Sequence, residues 1–154
     1  MAFRIFVDRD VLLVFVLKQS GYGIVRRLVD WGVRGRVQLF TSPSVIRDIA
    51  WEMTKAYNSE RTKELLLALL KVMQLVDTGY DTVVSALQSD TASISSMISY
   101  HTALKHRLDY FITHDCDLLQ NANAVLPAYT AIDFLNRHPV DQEPANIIWQ
   151  ESWR

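Results

Sequence analysis

The stretch Tyr100–Asp115 reads YHTALKHRLDYFITHD and contains a complete helix-to-strand transition. It begins inside a segment of helical periodicity that we predict as a helix over residues 91–107. It ends in Tyr110–Thr113, a short apolar run typical of a buried strand, and the acids Asp115 and Asp117 follow. The stretch therefore predicts a helix, a tight connection and a buried strand whose carboxyl end leads into acidic residues.

The same order of elements recurs on both sides of that stretch. Arg4–Val7 is a short apolar run that we interpret as a buried strand followed by a polar loop. Val37–Thr41 is a second strand, after which Ser42 supplies a helix N-cap and Pro43 a proline at the first helical position. Residues 127–130 form a weaker strand candidate, so the pattern predicts at least four strands.

Helices separate these strands, which predicts a parallel sheet covered on both faces. The fold class is therefore α/β, a three-layer α/β/α sandwich with a central, mostly parallel sheet of four to five strands. A leucine-rich segment over residues 60–76 is expected to be largely buried. We assign the domain to residues 1–136, and we expect residues 137–154 to form a tail packed on the domain or on a partner.

Length and composition exclude several classes of protein. The chain has 154 residues, 49% of them apolar and 21% charged, which suits one globular domain. A formal charge of −1 gives no sign of a nucleic-acid or membrane-surface protein, and the apolar run at 11–17 is too short to span a bilayer. The single cysteine, Cys116, cannot form an internal disulfide, which favours a reducing, cytoplasmic compartment.

Acidic residues cluster where the predicted strands end. Asp8 and Asp10 follow the first strand, and Asp115 follows the third. Asp48 lies one to two turns into the helix after the second strand. Because the carboxyl ends of parallel strands form one cleft, these carboxylates would repel one another unless a cation neutralised them. Mg²⁺ and Mn²⁺ prefer oxygen ligands, and such ions activate water for phosphodiester hydrolysis.

Each acid also has a purely structural explanation. An aspartate after a strand is most often a turn residue or a helix cap. Asp48 lies inside a helix, and Glu52 shares its face one turn further on. That pair belongs either to a functional site or to a solvated helix face bridged by Arg47 or Lys55, and the sequence leaves both interpretations open.

Four stretches, in this order, resemble the PIN domains, a family of metal-dependent nucleases found in type II toxin–antitoxin modules of the VapC kind and in RNA-processing factors. They are Ile5–Leu12, Ser42–Asp48, Tyr100–Asp115 and Tyr129–Leu135. The first looks like the family's opening strand with its first acid, and the second like the segment with its second acid. The third is similar to the family's helix, strand and Thr-x-Asp. The resemblance implies a PIN-like fold and a metal-dependent endoribonuclease.

The resemblance also implies roles for individual residues. Asp8, Asp48 and Asp115 would be catalytic, and Asp8 and Asp115 would hold the Mg²⁺ or Mn²⁺ ion. Accessory positions in the site fall to Asp10, where the family usually has Asn, and to Ser96, Thr113 and Asp117. Arg9 and Arg47 would meet the phosphate groups of the substrate.

One position departs from the family pattern. The third family acid would lie seven residues before Ala103, where this sequence has Ser96. A serine can hydrogen-bond a metal-bound water but carries no charge, so we expect weak occupancy of a second metal position. Ser89, Ser93 and Ser96 share a helical spacing, which predicts a hydroxyl-lined wall in place of the charge.

Two hypotheses from different classes follow. The first is a PIN-like endoribonuclease that hydrolyses RNA. Its possible partners are an antitoxin protein and a second copy of the chain, and the apolar helices between residues 60 and 88 could form the surface of such a homodimer. The second is a degenerate PIN domain, weak or inactive in catalysis, that binds RNA or protein. Ser96 and Asp48, at a position where the family normally has glutamate, motivate the second hypothesis.

Overall fold

A five-stranded sheet crosses the molecule in the order β3-β2-β1-β4-β5. Its strands are β1 (Phe3–Val7), β2 (Val37–Thr41), β3 (Met73–Leu75), β4 (Tyr110–Ile112) and β5 (Ala128–Tyr129). Every neighbouring pair is parallel. The structure is a computed structural model that describes residues 2–90 and 93–138. The predicted α/β class and parallel sheet are confirmed.

Helices connect the strands and flank the sheet. They are α1 (Arg9–Val16), α2 (Tyr22–Val33), α3 (Pro43–Ala56), α4 (Ser59–Leu70), α5 (Tyr80–Leu87), α6 (Ile94–Lys105), α7 (Cys116–Asn121) and α8 (Ala131–Arg137). Among the described residues, no helix combines the length and the apolar character that crossing a membrane requires.

The central strand β1 lies in the middle of the hydrophobic core, because both of its faces are covered. Ile5, Phe6 and Val7 are buried, as expected for an inner strand of a parallel sheet. Ile5 pairs with Leu39 of β2 on one side and with Tyr110 of β4 on the other. This packing fixes the ends of β1, β2 and β4 relative to one another.

Local sequence explains where the helices near these strand ends begin. Asp8 caps α1, and its carboxylate accepts a hydrogen bond from the Arg9 amide. Ser42 caps α3 by accepting a bond from the Val45 amide at 3.4 Å, and Pro43 follows it in the first turn. Both caps match their residue types, because a short side chain with an oxygen satisfies an amide that the helix leaves free.

Two of the predicted elements differ from the structure. The expected polar loop after β1 is the first turn of α1, because Asp8 caps the helix directly after the strand. The leucine-rich segment 60–76 is not largely buried: α4 buries one face only and ends at Leu70, and the edge strand β3 that follows has Leu75 exposed. Leu67 of α4 is exposed. A three-residue strand is too short to show an alternating pattern in sequence.

The predicted tail over residues 137–154 lies outside the described residues, apart from its first two positions. Arg137 ends α8, and His138 follows it. The ring of His138 packs on Phe134 and Phe3, with ring centroids 4.7 and 4.9 Å apart. The assignment of one domain to residues 1–136 stays a prediction.

Candidate active site

Asp8 lies buried where β1 and β4 end. Its backbone amide donates to the Ile112 carbonyl of β4 at 2.9 Å, and its side chain is 2% exposed. The Oδ1 atom accepts the Arg9 amide at 2.8 Å in the helix cap. The cap uses one carboxylate oxygen, so the structural role of Asp8 leaves its second oxygen for other contacts.

That second oxygen, Oδ2, accepts two hydroxyl groups. Thr113, directly after β4, donates to it at 2.9 Å, and Ser96 of α6 donates at 3.1 Å. All three residues are buried. Ser96 therefore contacts Asp8, the first acid of the predicted site. Position 96 is also the position at which the family pattern has a further carboxylate.

Asp10 completes a group that we call the inner cluster: Asp8, Asp10, Ser96 and Thr113. The Oδ2 atom of Asp10 accepts the His114 amide at 3.0 Å and lies 3.5 Å from the Thr113 hydroxyl. The threonine hydroxyl has one proton and lies closer to Asp8, so it donates to Asp8. It lies near both carboxylates but carries no charge, so it neutralises neither of them.

The inner cluster shifts the ionisation of its buried acid. Burial raises the pKa of Asp8 from 3.8 to about 6, and the negative charge of Asp10 adds to the rise. The Arg9 amide and the hydroxyls of Thr113 and Ser96 oppose it. Within the described residues the donors to Asp8 are all neutral, so the carboxylate is left with charge that a proton or a cation would compensate.

Asp115 and Asp117 lie beside the inner cluster. The Asp115 amide donates to the Thr113 hydroxyl at 3.1 Å, while its Oδ1 accepts the amides of Asp117 and Leu118 at 3.0 and 3.2 Å. Asp115 thus caps α7, a short helix that the sequence analysis did not predict. Asp117 occupies the first turn of α7 and is exposed.

Asp48 lies in a neighbouring space that we call the outer cleft, a cavity of about 350 Å³. Its lining residues are Arg9, Asp10, Leu13, Asp48, Trp51 and Glu52. Asp10 belongs to both the inner cluster and the outer cleft, so the two are continuous. The predicted site residues are therefore adjacent, but they form two groups.

Arginine side chains flank Asp48. Its Oδ2 lies 3.7 Å from Arg9 Nη1, and its Oδ1 lies 3.7 Å from Arg47 Nη2. One turn on, Glu52 accepts a hydrogen bond from Lys55 at 3.1 Å. The acids of α3 are therefore bridged by basic residues, as one of the two interpretations expected, and they also line a cleft; their place in a functional site stays a prediction.

Two residues of the outer cleft were missed at the level of sequence, Leu13 and Trp51. Trp51 stands between Asp48 and Glu52 on a helix whose buried face carries Val45, Ile49 and Met53. The signal that could have revealed it is a large aromatic residue outside the apolar stripe of an amphipathic helix.

The predicted wall of three serines is wrong. Helix α6 begins at Ile94, whereas Ser89 lies just after the end of α5, where its hydroxyl donates to the Ala86 carbonyl at 2.7 Å. The break between α5 and α6 removes the continuous helical face on which the expectation depended, and of these three serines Ser96 makes the contact with Asp8.

The donor set fits one hard divalent cation better than two. Within residues 2–90 and 93–138, no three His, Cys, Asp or Glu side chains are grouped so as to hold a metal ion. Mg²⁺, however, is usually bound by one or two carboxylates, with water completing its octahedral shell. Asp8 and Asp10 provide such a pair, and Ser96 adds no charge.

Comparisons with known proteins identify the fold. No protein-family model matches the sequence, and no curated protein matches it. Among solved structures, VapBC2 from Rickettsia felis bound to a promoter DNA fragment aligns with a TM-score of 0.63 at 10% identity, over 82% of this chain and 98% of the other. VapC20 of Mycobacterium tuberculosis, a toxin that cleaves the sarcin–ricin loop, aligns with a TM-score of 0.62 at 14% identity, over 80% of this chain and 98% of the other. The chain therefore has a PIN-like fold of the VapC kind.

Proposed function

We propose that the protein is a PIN-like endoribonuclease that depends on Mg²⁺ or Mn²⁺ and hydrolyses RNA phosphodiester bonds with water as the nucleophile. The observation that carries the proposal is the buried Asp8 carboxylate, which adjoins Asp10 and has only neutral hydrogen-bond donors among the described residues. Such a pair attracts a divalent cation because a buried charge without a counter-charge is costly. The VapC-like fold supports the same reading.

The inner cluster would bind and orient the cation. Asp8 and Asp10, with Asp115 beside them, would hold the ion, while Thr113 and Ser96 keep the Asp8 carboxylate in one orientation. When bound, the ion would neutralise charge at the phosphate and activate water. The buried, hydrogen-bonded Asp8 carboxylate suits this task because its geometry needs little rearrangement.

Two exposed arginines at the rim of the outer cleft would meet the RNA backbone. The side chains of Arg9 and Arg47 are 42% and 80% exposed, and each lies 3.7 Å from Asp48. These exposed guanidinium groups would attract phosphates, and Asp48 would hold them at the mouth of the site. In this role Asp48 contributes by positioning cations, and Asp117 stands at the exposed rim.

A toxin role in a type II toxin–antitoxin module is the finer part of the proposal. Its support is the structural likeness to VapBC2 and to VapC20, which is described as a toxin. On this proposal a small antitoxin protein would cover the cleft in the cytoplasm, and the chain would form a homodimer.

An RNA cleavage assay tests the activity. The purified protein is incubated with single-stranded RNA and Mg²⁺ or Mn²⁺, beside Asp8→Asn and the control Asp133→Asn, which removes an exposed acid from the first turn of α8. We expect cleavage by the wild type and the control, and its loss in Asp8→Asn and after chelation. Equal cleavage by wild type and Asp8→Asn would contradict the proposal.

A second candidate is a degenerate PIN domain that binds RNA or protein without cutting. The buried serine at position 96, in contact with Asp8 where a third acid would stand, favours it. Calorimetry distinguishes the two: a folded wild type that binds RNA but binds no Mg²⁺ or Mn²⁺ at millimolar concentration would support the degenerate domain.

A further inference from the structure

The chemistry of the outer cleft does not suit a phosphate group. Its lining includes the carboxylates of Asp10, Asp48 and Glu52 and the guanidinium group of Arg9, while Arg47 pairs with Asp48 and Lys55 pairs with Glu52. These acidic and basic groups balance, so the cleft has no surplus of positive charge to hold a phosphate. The remaining lining is apolar, from Leu13 and the ring of Trp51. An uncharged, flat group with hydrogen-bond donors on its edge fits this combination better than an anion does.

Trp51 is the most exposed part of this lining. It is 68% exposed, whereas the apolar residues of α3 that face the core are buried. The Lys55 ammonium lies over its ring, 5.5 Å from the centroid. An exposed indole in a cleft gains by covering its ring, and nucleobases stack on aromatic side chains in proteins that bind single-stranded nucleic acid.

Glu52 lies next to that ring and can accept hydrogen bonds. Its carboxylate already accepts one from Lys55 at 3.1 Å and retains further acceptor capacity. The exocyclic amino groups of cytosine, adenine and guanine are donors that match a carboxylate, while uracil has no amino group. The cleft therefore has a means of distinguishing among bases.

We propose that the outer cleft binds one unpaired nucleobase of a single-stranded RNA substrate, stacked on Trp51, with the base's amino group donating to Glu52. This inference rests on the proposed ribonuclease function and adds a substrate preference to it. Asp10 lines the cleft and also contacts the inner cluster, so the bound base would belong to a nucleotide beside the scissile phosphate. Trp51 and Glu52 would then be specificity residues.

Binding and cleavage are both measured to test this proposal. Octamers of uridine, with or without one central guanosine, adenosine or cytidine, are titrated into protein that carries Asp8→Asn to prevent turnover. The KM and kcat for cleavage of the same octamers are measured with protein that retains Asp8. Both proteins are also prepared with one of four further substitutions: Trp51→Leu, Trp51→Phe, Glu52→Leu or Glu52→Gln. Tyr80→Leu on α5 is the matched control, because Tyr80 is another exposed aromatic residue on a helix surface.

We expect Trp51→Leu to weaken RNA binding about tenfold and to raise KM with little change in kcat. Trp51→Phe keeps an aromatic face and should lose much less, and Tyr80→Leu should lose nothing. Glu52→Leu should abolish the preference for a base with an amino group, whereas Glu52→Gln, which keeps an acceptor oxygen, should retain part of it.

The two proposals fail in different ways. If the wild type cuts RNA but Trp51→Leu and Glu52→Leu bind and cut all octamers as the wild type does, the base site is wrong and the ribonuclease stands. If no protein cuts RNA but binding depends on Trp51 and on the amino-bearing base, the base site stands and the ribonuclease is wrong. RNA binding unchanged in Trp51→Leu and Glu52→Leu would overturn the base site whether or not the wild type cuts RNA.

Discussion

The inner cluster and the outer cleft share Asp10, but they treat their acids differently. Asp8 of the inner cluster is 2% exposed and bonded to neutral donors. Asp48 of the outer cleft has a side chain 27% exposed and lies 3.7 Å from each of two arginines. Arginines of the protein thus balance the charge of Asp48, whereas no charged donor bonds Asp8 among residues 2–90 and 93–138. A buried charge without a partner is kept at a cost in stability, and this cost is the reason for our proposal that the reaction takes place at the inner cluster.

The largest difference should be in catalysis. Asp8→Asn should reduce RNA cleavage about a thousandfold or more, because several kcal/mol of cation-mediated stabilisation would be lost. Asp48→Asn should reduce it about tenfold, because Asp48 acts through the arginines at its side. The measurement is kcat/KM on one RNA for both variants. Equal losses at the two positions would remove the distinction between the inner cluster and the outer cleft.

The second difference should be in stability, with the opposite sign. The pKa of Asp8 is about 6 in the folded protein against an ordinary value of 3.8, which corresponds to about 3 kcal/mol. A raised pKa means that protonation favours the folded state, so this contribution is complete below about pH 3.8 and is lost as the pH rises through 6. In metal-free buffer at pH 7.5, Asp8→Asn should therefore raise the free energy of unfolding by up to about 3 kcal/mol.

Urea unfolding of the wild type and Asp8→Asn at several pH values measures this effect. The gain of Asp8→Asn over the wild type should shrink as the pH falls from 7.5 to 5. Asp48→Asn is the control and should change the unfolding free energy by less than about 1 kcal/mol, as for other exposed ion pairs. A wild type that is more stable than Asp8→Asn at pH 7.5 without metal would contradict the account.

Sequence predicted the inner cluster better than the outer cleft, for physical reasons. Asp8 and Thr113 follow strands directly, and the position of a strand end in a parallel sheet is set by hydrophobic periodicity and register. The outer cleft depends instead on how α1 and α3 pack, which places Leu13 beside Trp51 and has no local signature. The edge strand β3 and the short helix α7 were missed because segments of three and six residues carry too little periodicity.

A third test changes the charge of the inner cluster. Ser96→Asp would add a carboxylate in contact with Asp8, so we expect Mn²⁺ affinity to rise about tenfold, because each added charged ligand favours the cation. The same substitution should lower stability without metal, because it adds a like charge beside Asp8. Ser96→Asn is the neutral control. Calorimetry and urea unfolding measure both effects, and unchanged Mn²⁺ affinity would place residue 96 outside the metal centre.

The smallest expected effect belongs to Arg47, an exposed arginine beside the outer cleft. Arg47→Gln should raise KM for RNA about two- to threefold and reduce the dependence of binding on salt, because one phosphate contact is lost. Arg27→Gln, at an exposed position on α2, is the matched control and should leave both unchanged. If the two variants behave alike, the RNA backbone does not approach Arg47.

The central claim is that Asp8 and Asp10 together bind a divalent cation. Isothermal titration of Mn²⁺ into the wild type and Asp8→Asn at pH 7.5 tests it most directly. We predict one Mn²⁺ ion per wild-type chain, bound at millimolar concentration or tighter, and none in Asp8→Asn. Absence of binding to the folded wild type, or equal binding to both proteins, would contradict the claim.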